Sequence, residues 1–353
     1  MQAVILAGGQ GTRLLPLTLT RPKPLVPLLN VPFLHYQLDL LRQHGVRDIV
    51  LSCFDRWEMI RTTMGDGDSR GVRLRYAVEP EPLGTGGGVR NAVDLADGRV
   101  IVLNGDILTD MDLGAMVAFH AQRGARATIA LTTVDDPSQY GLVETDPDGR
   151  ILRFVEKPPP GQFTARTINA GAYVLEPELL DLIPRGRAMS IEREFFPLLL
   201  TTGVPFFGWT TGAYWLDIGT PGKYRQAHLD LLAGALRTAV TPPGTPRENV
   251  WIGEGALIAP GAVLRGPAVL GREVRVAQNA RVGPLAVLGD RCVVEAGGVV
   301  EAAVLWEEVH VGEGAFVRAS LAGAGCRIGA GSRVGPGAVL GGGSAPDSSR
   351  LTA

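Results

Sequence analysis

The chain has 353 residues, of which 45% are hydrophobic and 20% are charged. That composition is typical of a folded globular protein and excludes a disordered one, and the length predicts two domains. The formal net charge is -2, so no overall positive field would attract nucleic acid or an anionic membrane surface. We expect neither as a partner, whereas a small phosphorylated substrate would need only a local cluster of cationic groups.

The amino-terminal sequence MQAVILAGGQ lacks the basic stretch of a signal peptide. No apolar run approaches the ~20 residues that cross a bilayer, which favours a cytoplasmic location. The three cysteines, Cys53, Cys292 and Cys326, lie far apart and lack the spacing of metal ligands. We interpret them as buried thiols.

Short aliphatic runs alternate with amphipathic segments in the first 235 residues. Ala3–Leu6, Asp48–Ser52 and Val100–Leu103 predict buried strands, and Phe33–His44, which is followed by a glycine, predicts a helix. The alternation predicts an α/β domain with a mostly parallel sheet and helices on both faces. Residues 141–158 predict a two-stranded hairpin, which we expect to stand out from the sheet as a lid or wall.

A glycine-rich segment, LAGGQGTRL (Leu6–Leu14), follows the first predicted strand. Gly8, Gly9 and Gly11 would let backbone N–H groups approach phosphate oxygens. Arg13 adds a guanidinium group whose geometry suits a triphosphate. The segment therefore predicts a phosphate-binding loop.

Three prolines shape the residues that follow this loop. The pattern is not GxxxxGK[ST], and Pro16, Pro22 and Pro24 exclude the regular helix that follows a dinucleotide-binding turn. Lys23 stands between two of these prolines, so we expect it to have a fixed position instead of being an ordinary solvated cation.

Aliphatic residues recur every six positions in the last third of the chain. Such a period fits neither an α-helix nor a strand, but it is typical of a parallel β-helix with three flat faces. After nine consecutive matches the register slips, and it resumes at Ile328, Val334 and Leu340. The nine matching positions are Ile252, Ile258, Leu264, Leu270, Val276, Val282, Leu288, Val294 and Val300.

The composition changes between the two predicted domains. Residues 238–249 contain three prolines and a glycine among polar residues, which indicates a linker. We predict a first domain over residues 1–236, a linker over 237–250, a β-helix over 251–341 and a flexible tail over 342–353.

Seven motifs, in order, resemble the sugar-1-phosphate nucleotidyltransferases, and most of all the mannose-1-phosphate guanylyltransferases. In that family a left-handed β-helix of hexapeptide repeats often follows a Rossmann-like nucleotidyltransferase sheet. The resemblance implies transfer of a nucleotidyl group from a nucleoside triphosphate to a sugar 1-phosphate, with release of pyrophosphate. The motifs are LAGGQGTRLLPLTLTRPKPLVPL, EPLGTGGG, VLNGD, FVEKP, NAGAYVL, SIEREFFP and WLDIGTP.

The same resemblance implies a role for individual residues. Arg13, Lys23 and Asp106 would be catalytic, the first two by gripping the triphosphate, and Asp106 and Asp217 would bind Mg²⁺. The residues implied in nucleotide binding are Leu6, Gly8, Gly9, Gly11, Thr12, Gly84, Thr85 and Gly86, the last three by presenting backbone groups to the base. The residues implied in sugar phosphate binding are Gly141, Glu156, Lys157, Asn169 and Gly171.

Two departures from the family pattern leave the substrates open. The sequence LGTGGG stands where LGTAG is more frequent, and Leu15 stands where an arginine is frequent. GTP and mannose 1-phosphate are the first choice, with dTDP-glucose, UDP-sugar and GDP-heptose as the alternative products.

Two other functional classes fit the sequence less well. A non-catalytic subunit that senses nucleotide-sugar would be expected to lose catalytic groups, yet this chain keeps Arg13, Lys23, Asp106 and Asp217. An acyltransferase β-helix would need a histidine base, and His310 is the only histidine in the repeats. The β-helix is better explained as a structural domain, through which we expect a homo-oligomer to form.

Overall fold

The computed structural model of the protein describes residues 1–95, 98–161, 163 and 165–342, and the backbone of 350–351. These residues form two compact units, Met1–Gln10 with Gln37–Trp215, and Gly11–Tyr36 with Leu216–Ala353. This spatial division differs from the sequence boundary at residue 236, in that 11–36 and 216–236 group with the β-helix. Every helix in the described ranges is too short or too polar to cross a bilayer.

Among the residues that the structure describes, the α-helices all lie before residue 236, together with thirteen strands. The strands are β1 (Gln2–Leu6), β2 (Pro27–Leu28), β3 (Val31–Pro32), β4 (Asp48–Cys53), β5 (Arg73–Val78), β6 (Val100–Asn104), β7 (Ile107–Thr109), β8 (Ala127–Thr133), β9 (Gly141–Thr145), β10 (Ile151–Glu156), β11 (Thr167–Leu175), β12 (Phe206–Thr210) and β13 (Trp215–Asp217). The helices are α1 (Leu34–Gln43), α2 (Trp57–Met64), α3 (Gly84–Val93), α4 (Leu113–Gln122), α5 (Pro177–Leu180), α6 (Phe196–Thr202) and α7 (Pro221–Leu232).

The first unit is built on a nine-stranded sheet. Its main path runs β10-β9-β11-β6-β1-β4-β5, and β8 and β12 extend it beside β11. Strands β5, β4, β1 and β6 are parallel, and Ala3, Val4 and Ile5 of β1 are fully buried, as expected for parallel strands covered on both faces. Strand β11 is antiparallel to its neighbours β6, β8 and β9. The sheet is therefore mixed, with four parallel strands on one side of β11 and the parallel pair β8 and β12 on the other.

The predicted hairpin exists, but it does not stand apart from the sheet. Strands β9 and β10 pair antiparallel, with the turn at 146–149 closed by the N–H of Gly149 donating to Asp146 O. Leu142 of β9 pairs with Ile168 of β11, so the hairpin continues the main sheet as its edge. The expectation of a separate lid or wall was wrong, because β9 is joined to β11 by the Leu142–Ile168 pair and by Thr167 Oγ1, which donates to Val143 O at 2.6 Å.

The second unit contains a β-helix of three parallel sheets. One sheet consists of β15 (Val250–Ile252), β18 (Ala268–Leu270), β21 (Ala286–Leu288), β24 (Val304–Leu305), β27 (Leu321–Ala322) and β30 (Val339–Leu340), with β14 (Thr245–Arg247) antiparallel on its first strand. The second consists of β16 (Leu257–Ile258), β19 (Arg275–Val276), β22 (Val293–Val294), β25 (His310–Val311) and β28 (Arg327–Ile328). The third consists of β17 (Val263–Leu264), β20 (Arg281–Val282), β23 (Val299–Glu301), β26 (Phe316–Arg318), β29 (Arg333–Val334) and β31 (Arg350–Leu351).

The slip of the six-residue register has a simple structural cause. Leu288 pairs with Leu305 in the first sheet, and Val300 and Leu305 are separated by five positions instead of six. The corner between them is one residue shorter, and it turns through Ala302 with a φ of 49°. A second short corner turns through Ala319 with a φ of 48° and separates Val317 from Ala322 by five positions, which brings the register to Ile328. The inward aliphatic column nevertheless stays continuous, because Leu305 and Val311 lie in the same buried core.

The ends of the β-helix differ from the sequence boundaries in detail. Strand β14 lies within the predicted linker and pairs with β15, so part of that linker belongs to the repeat structure. Of the predicted tail, Arg350–Leu351 pair with Arg333–Val334. The rest of the tail beyond residue 342 lies outside the described residues.

Candidate active site

Asp106 follows the end of the parallel strand β6 in the first unit. The N–H of Gly105 donates to Leu6 O at 3.1 Å, and a Cβ built at Gly105 would lie 2.1 Å from that oxygen, so only glycine allows this approach. Gln37, which is buried, donates from Nε2 to Asn104 O at 2.8 Å and to Ile107 O at 3.2 Å. The backbone is thus held on both sides of Asp106, which is half-buried. Ligands of parallel sheets bind at this carboxyl-terminal edge.

A buried carboxylate that the sequence did not single out organises the phosphate-loop end of the same unit. Glu79 accepts from Ser52 Oγ at 2.8 Å and from the N–H of Leu83 at 2.9 Å. A Cβ at Gly88 would approach Glu79 Oε1 to 2.8 Å, and one at Gly8 would approach it to 3.3 Å. Glu79 therefore fixes the start of α3 beside the glycine loop.

The glycines implied in base recognition form the first turn of α3 instead of a loop. The N–H of Gly86 donates to Met189 O at 2.8 Å, so this amide already has a partner within the protein. Gly84 has a φ of 68°, and a Cβ there would lie 2.8 Å from Met189 O. The glycines are needed for close packing against residue 189. Thr85 accepts from the N–H of Ile191 at 2.8 Å.

The residues implied in sugar phosphate binding meet on β9, β10 and β11 of the first unit. Glu156 pairs in register with Gly141, where a Cβ would come within 3.1 Å of Glu156 Oε2. Burial, and secondly the negative charge of Glu192, raise the pKa of Glu156. Lys157 follows with a φ of 52° and an exposed side chain, and its N–H donates to Tyr140 O at 2.9 Å.

Asn169 and Gly171 lie at a bulge in β11, where the register with β8 shifts. Asn169 Oδ1 accepts from the N–H of Gly171 at 2.9 Å, and Asn169 Nδ2 donates to Tyr173 Oη at 3.0 Å. Gly171 has a φ of 72°, and a Cβ there would lie 3.0 Å from Asn104 Nδ2. Trp215 Nε1 donates to Ala170 O at 2.8 Å. The bulge thus fixes the polar groups of Asn169 and the backbone around Gly171 by hydrogen bonds.

In the second unit, the later residues of the predicted phosphate-binding loop, from Gly11 onward, contact residues that follow them closely in the chain. Gly11 has a φ of 65°, and its carbonyl oxygen accepts from Thr18 Oγ1 at 2.9 Å. A Cβ at Gly11 would lie 3.2 Å from the Cβ of Lys23, and Lys23 is only 8% exposed. Thr12 and Arg13 are exposed. The Arg13 guanidinium lies against Gly219, where a Cβ would come within 2.9 Å of Arg13 Nη2.

Asp217, also in the second unit, forms an ion pair with Lys223. Lys223 lies in the first turn of α7, where its N–H donates to the capping Thr220 side chain. A cation is unfavourable at that end of a helix, so Asp217 offsets a local cost. Within the described ranges, no three His, Cys, Asp or Glu side chains converge as metal ligands.

Lysine is rare in this sequence, and the positions of its lysines are informative. Only three of the 34 basic residues are lysines, and they are Lys23, Lys157 and Lys223. Lys23 and Lys157 stand in the family motifs, and Lys223 follows the last motif by two residues. A chain that otherwise uses arginine keeps a compact ammonium group at these positions, which is the group suited to act as a point charge.

Comparison with known proteins agrees with this arrangement. A model of the nucleotidyl transferase family matches residues 2–234, and a model described as the GMPPB C-terminal domain matches residues 264–345. The chain is 38% identical over 281 residues to a mannose-1-phosphate guanylyltransferase of Mycobacterium tuberculosis, covering 74% of this chain and 77% of that protein. It is 37% identical over 267 residues to a UTP–glucose-1-phosphate uridylyltransferase of Synechocystis, covering 72% and 69%.

Solved structures give the same result for the first part of the chain. The crystal structure of HddC from Yersinia pseudotuberculosis superposes with a TM-score of 0.57 at 31% identity, over 65% of this chain and 99% of that one. A structure of HddC complexed with GMP-PN matches equally well. Since the family model spans about two thirds of the sequence, and its motifs coincide with the residues gathered at β6, α3 and β9–β11, the chain belongs to the nucleotidyl transferase family.

Proposed function

We propose that this nucleotidyltransferase joins GTP and mannose 1-phosphate to form GDP-mannose and pyrophosphate. An oxygen of the sugar phosphate attacks the α-phosphorus of GTP, the bond from that phosphorus to the bridging oxygen of the β-phosphate breaks, and pyrophosphate leaves with the electron pair. The observation that carries this choice of substrates is the 38% identity over 281 residues with the M. tuberculosis enzyme. The HddC complex with GMP-PN supports a guanine nucleotide.

The roles implied by the family motifs remain our proposal for the individual residues. Such reactions need alignment and charge neutralisation more than covalent help. Arg13 and Lys23 would hold the triphosphate and offset the charge of departing pyrophosphate, together with the backbone of Leu6, Gly8, Gly9, Gly11 and Thr12. Glu156 and Asn169 would accept hydrogen bonds from sugar hydroxyls, and Lys157 would contact the sugar phosphate.

Mg²⁺ is the proposed cofactor, with Asp106 and Asp217 as its carboxylate ligands. The ion usually takes one or two carboxylates and completes its shell with water and substrate phosphates, so the oxygen donors of these residues fit it. When bound it would neutralise charge on the phosphate oxygens. Asp217 is paired with Lys223, so this lysine and the metal would compete for one carboxylate.

Replacing Lys223 tests that competition. We expect Lys223→Met to lower the Mg²⁺ concentration for half-maximal activity by roughly fivefold, since an ion pair worth up to ~1 kcal/mol no longer opposes binding. This concentration is measured by titrating Mg²⁺ while following pyrophosphate release. Arg225→Met, on the same helix, is the matched control and should leave the concentration unchanged. An unchanged or increased Mg²⁺ requirement would contradict Asp217 as a ligand.

The dependence of the KM for sugar phosphate on pH, on the acid side, tests the role of Glu156. Its raised pKa means that it loses its charge at a higher pH than an ordinary glutamate does, so the KM for sugar phosphate should rise as pH falls through that pKa. Glu192→Gln removes one cause of the raised pKa while keeping an acceptor for Thr85 Oγ1. We expect the acid limb to move to lower pH. Glu194→Gln, where the carboxylate accepts from the N–H of Ser190, should leave the limb in place.

The decisive experiment is a substrate matrix. Pyrophosphate release is measured with Mg²⁺ for GTP, dTTP, UTP, ATP and CTP, each against mannose, glucose, heptose and N-acetylglucosamine 1-phosphates. Dominance of GTP with mannose 1-phosphate would support the proposal. Release of pyrophosphate by no pair would favour the regulatory reading.

UDP-glucose formation is the second candidate. It is favoured by the nearly equal identity to the Synechocystis uridylyltransferase, 37% over 267 residues. Dominance of UTP with glucose 1-phosphate in the matrix would select it.

A homo-oligomer formed through the β-helix and a cytoplasmic location also stay proposals. Leu257 and Val263, on the first coil, are 61% and 39% exposed, and apolar side chains at an open sheet end favour subunit contact. Light scattering of the purified protein measures its mass in solution and so tests the homo-oligomer.

A further inference from the structure

One outer face of the β-helix differs from the other two. In the first sheet, Leu270, Leu288 and Leu305 point into the central core, so their strand neighbours point outward. Those neighbours are apolar and still buried, with exposed fractions of 0% for Val269 and Val287 and 2% for Val304. The equivalent positions of the second and third sheets include arginines and exposed aliphatic side chains.

The segment that carries Lys23 lies on this apolar face, within the second unit. Asn30 Nδ2 donates to Leu288 O at 2.7 Å. A Cβ built at Gly323 would come within 3.5 Å of Leu17 Cδ2, and one at Gly341 within 3.2 Å of Pro16. The β-helix thus serves as the floor under residues 11–36.

Trp306 and Tyr224 form the centre of the contact. Trp306 Nε1 donates to Tyr224 Oη at 3.0 Å, and the rings meet edge to face with centroids 6.4 Å apart. Tyr224 Oη in turn donates to Pro27 O. Both aromatic side chains are fully buried, so neither polar atom can take water as a substitute partner.

Arg21 forms the second anchor, just before the first proline of the segment. Its guanidinium group lies 4.9 Å from the centroid of the Trp306 ring and forms an ion pair with Glu307. Residues 21 and 27 are therefore both fixed to the same aromatic cluster, and Lys23 lies between them. Because Pro22 and Pro24 restrict the intervening backbone, the two anchors set the position of the Lys23 main chain.

We propose that Tyr224, Trp306 and Glu307 are positioning residues, which hold the Arg21–Pro27 segment so that Lys23 meets the triphosphate. The inference rests on the proposed function, in which Lys23 contacts the leaving pyrophosphate. It gives the β-helix a part in turnover besides subunit contact, because Trp306 and Glu307 belong to the repeats.

A loss of positioning has a kinetic signature that a loss of stability lacks. A misplaced Lys23 weakens contacts to the nucleotide, so kcat falls and the KM for GTP rises, while the KM for mannose 1-phosphate stays the same. Partial unfolding instead removes active enzyme, which lowers kcat and leaves both KM values unchanged. Displacement of a catalytic group by about 1 Å can cost on the order of 100-fold in rate.

The test compares three single variants of the full chain. Tyr224→Phe keeps the ring and removes the hydroxyl that joins Trp306 to Pro27, and Glu307→Gln removes the partner of Arg21. Glu308→Gln is the control, since Glu308 pairs with Arg291 on the β-helix. We expect kcat/KM for GTP to fall at least about tenfold in Tyr224→Phe and about threefold in Glu307→Gln. The control should match the wild type.

Two further measurements keep the outcomes distinct. The Kd for GTP, measured by calorimetry without sugar phosphate, should rise in Tyr224→Phe and Glu307→Gln but not in Glu308→Gln. Tyr224→Phe and Glu307→Gln should also lower kcat/KM for GTP much less when Lys23 is already replaced by methionine, because both act through Lys23.

An unchanged KM and Kd for GTP in both variants would overturn the positioning role, as would full additivity with Lys23→Met. A wild type that binds GTP but forms no pyrophosphate in the substrate matrix would instead overturn the proposed function. In that case the GTP Kd of the variants still decides the inference.

Discussion

Asp106→Asn is expected to lower kcat for pyrophosphate release by about 10²- to 10³-fold, the equivalent of roughly 3–4 kcal/mol of transition-state stabilisation. The amide keeps the size of the side chain and its acceptor oxygen but loses the negative charge that a hard cation requires. The backbone around Asp106 should not move, because the Gly105 and Gln37 contacts are made by other groups.

The control for this variant is Asp112→Asn. Asp112 caps helix α4 by accepting from the N–H of Ala115 at 2.9 Å, and asparagine caps helices about as well as aspartate does. Its activity and melting temperature should match those of the wild type. If Asp106→Asn kept more than a tenth of wild-type kcat at saturating Mg²⁺, Asp106 would not be a metal ligand.

The strands and the β-helix could be predicted because their signals are local and periodic. Strand β1 and helix α1 showed a buried run and an amphipathic face, and the six-residue repeat of the second unit identified its coils. The hairpin was also local, but its pairing to β11 depends on residues that are distant in sequence. Its place in the sheet therefore could not be read from its own residues.

Site residues that belong to a sequence motif could be predicted. Single residues that support the site through contacts with residues distant in sequence were missed. Gln37 lies inside an ordinary amphipathic helix, and Glu79 lies in an acidic, proline-rich turn, so neither has a pattern of its own. Trp306 did offer a signal, since a tryptophan is out of place among the small residues of a hexapeptide repeat. The packing of Gly84 and Gly86 against Met189 could not be predicted, because glycines for close packing and glycines for ligand approach look alike in sequence.

Lys23→Met is expected to lower kcat by about 100-fold and to raise the KM for GTP, with the KM for mannose 1-phosphate unchanged. Removing one donor aimed at charge that develops in the transition state typically costs about 2.7–4 kcal/mol. Lys23 is 8% exposed, and methionine occupies a similar volume, so the variant should fold. Steady-state kinetics in both substrates, with the melting temperature as a check on folding, measures it.

Lys157→Met provides the matched comparison, because Lys157 follows the end of β10, where we propose that the sugar phosphate binds. We expect it to raise the KM for mannose 1-phosphate and to leave the KM for GTP unchanged. Three lysines in the whole chain make a direct check feasible, in which GTP protects Lys23 and mannose 1-phosphate protects Lys157 from an amine-reactive label read by mass spectrometry. If Lys23→Met and Lys157→Met each raised the KM for GTP and the KM for mannose 1-phosphate equally, the two ammonium groups would not have separate roles. A division between them would mean that the few lysines of this chain are kept for phosphate groups, one for the nucleotide and one for the sugar.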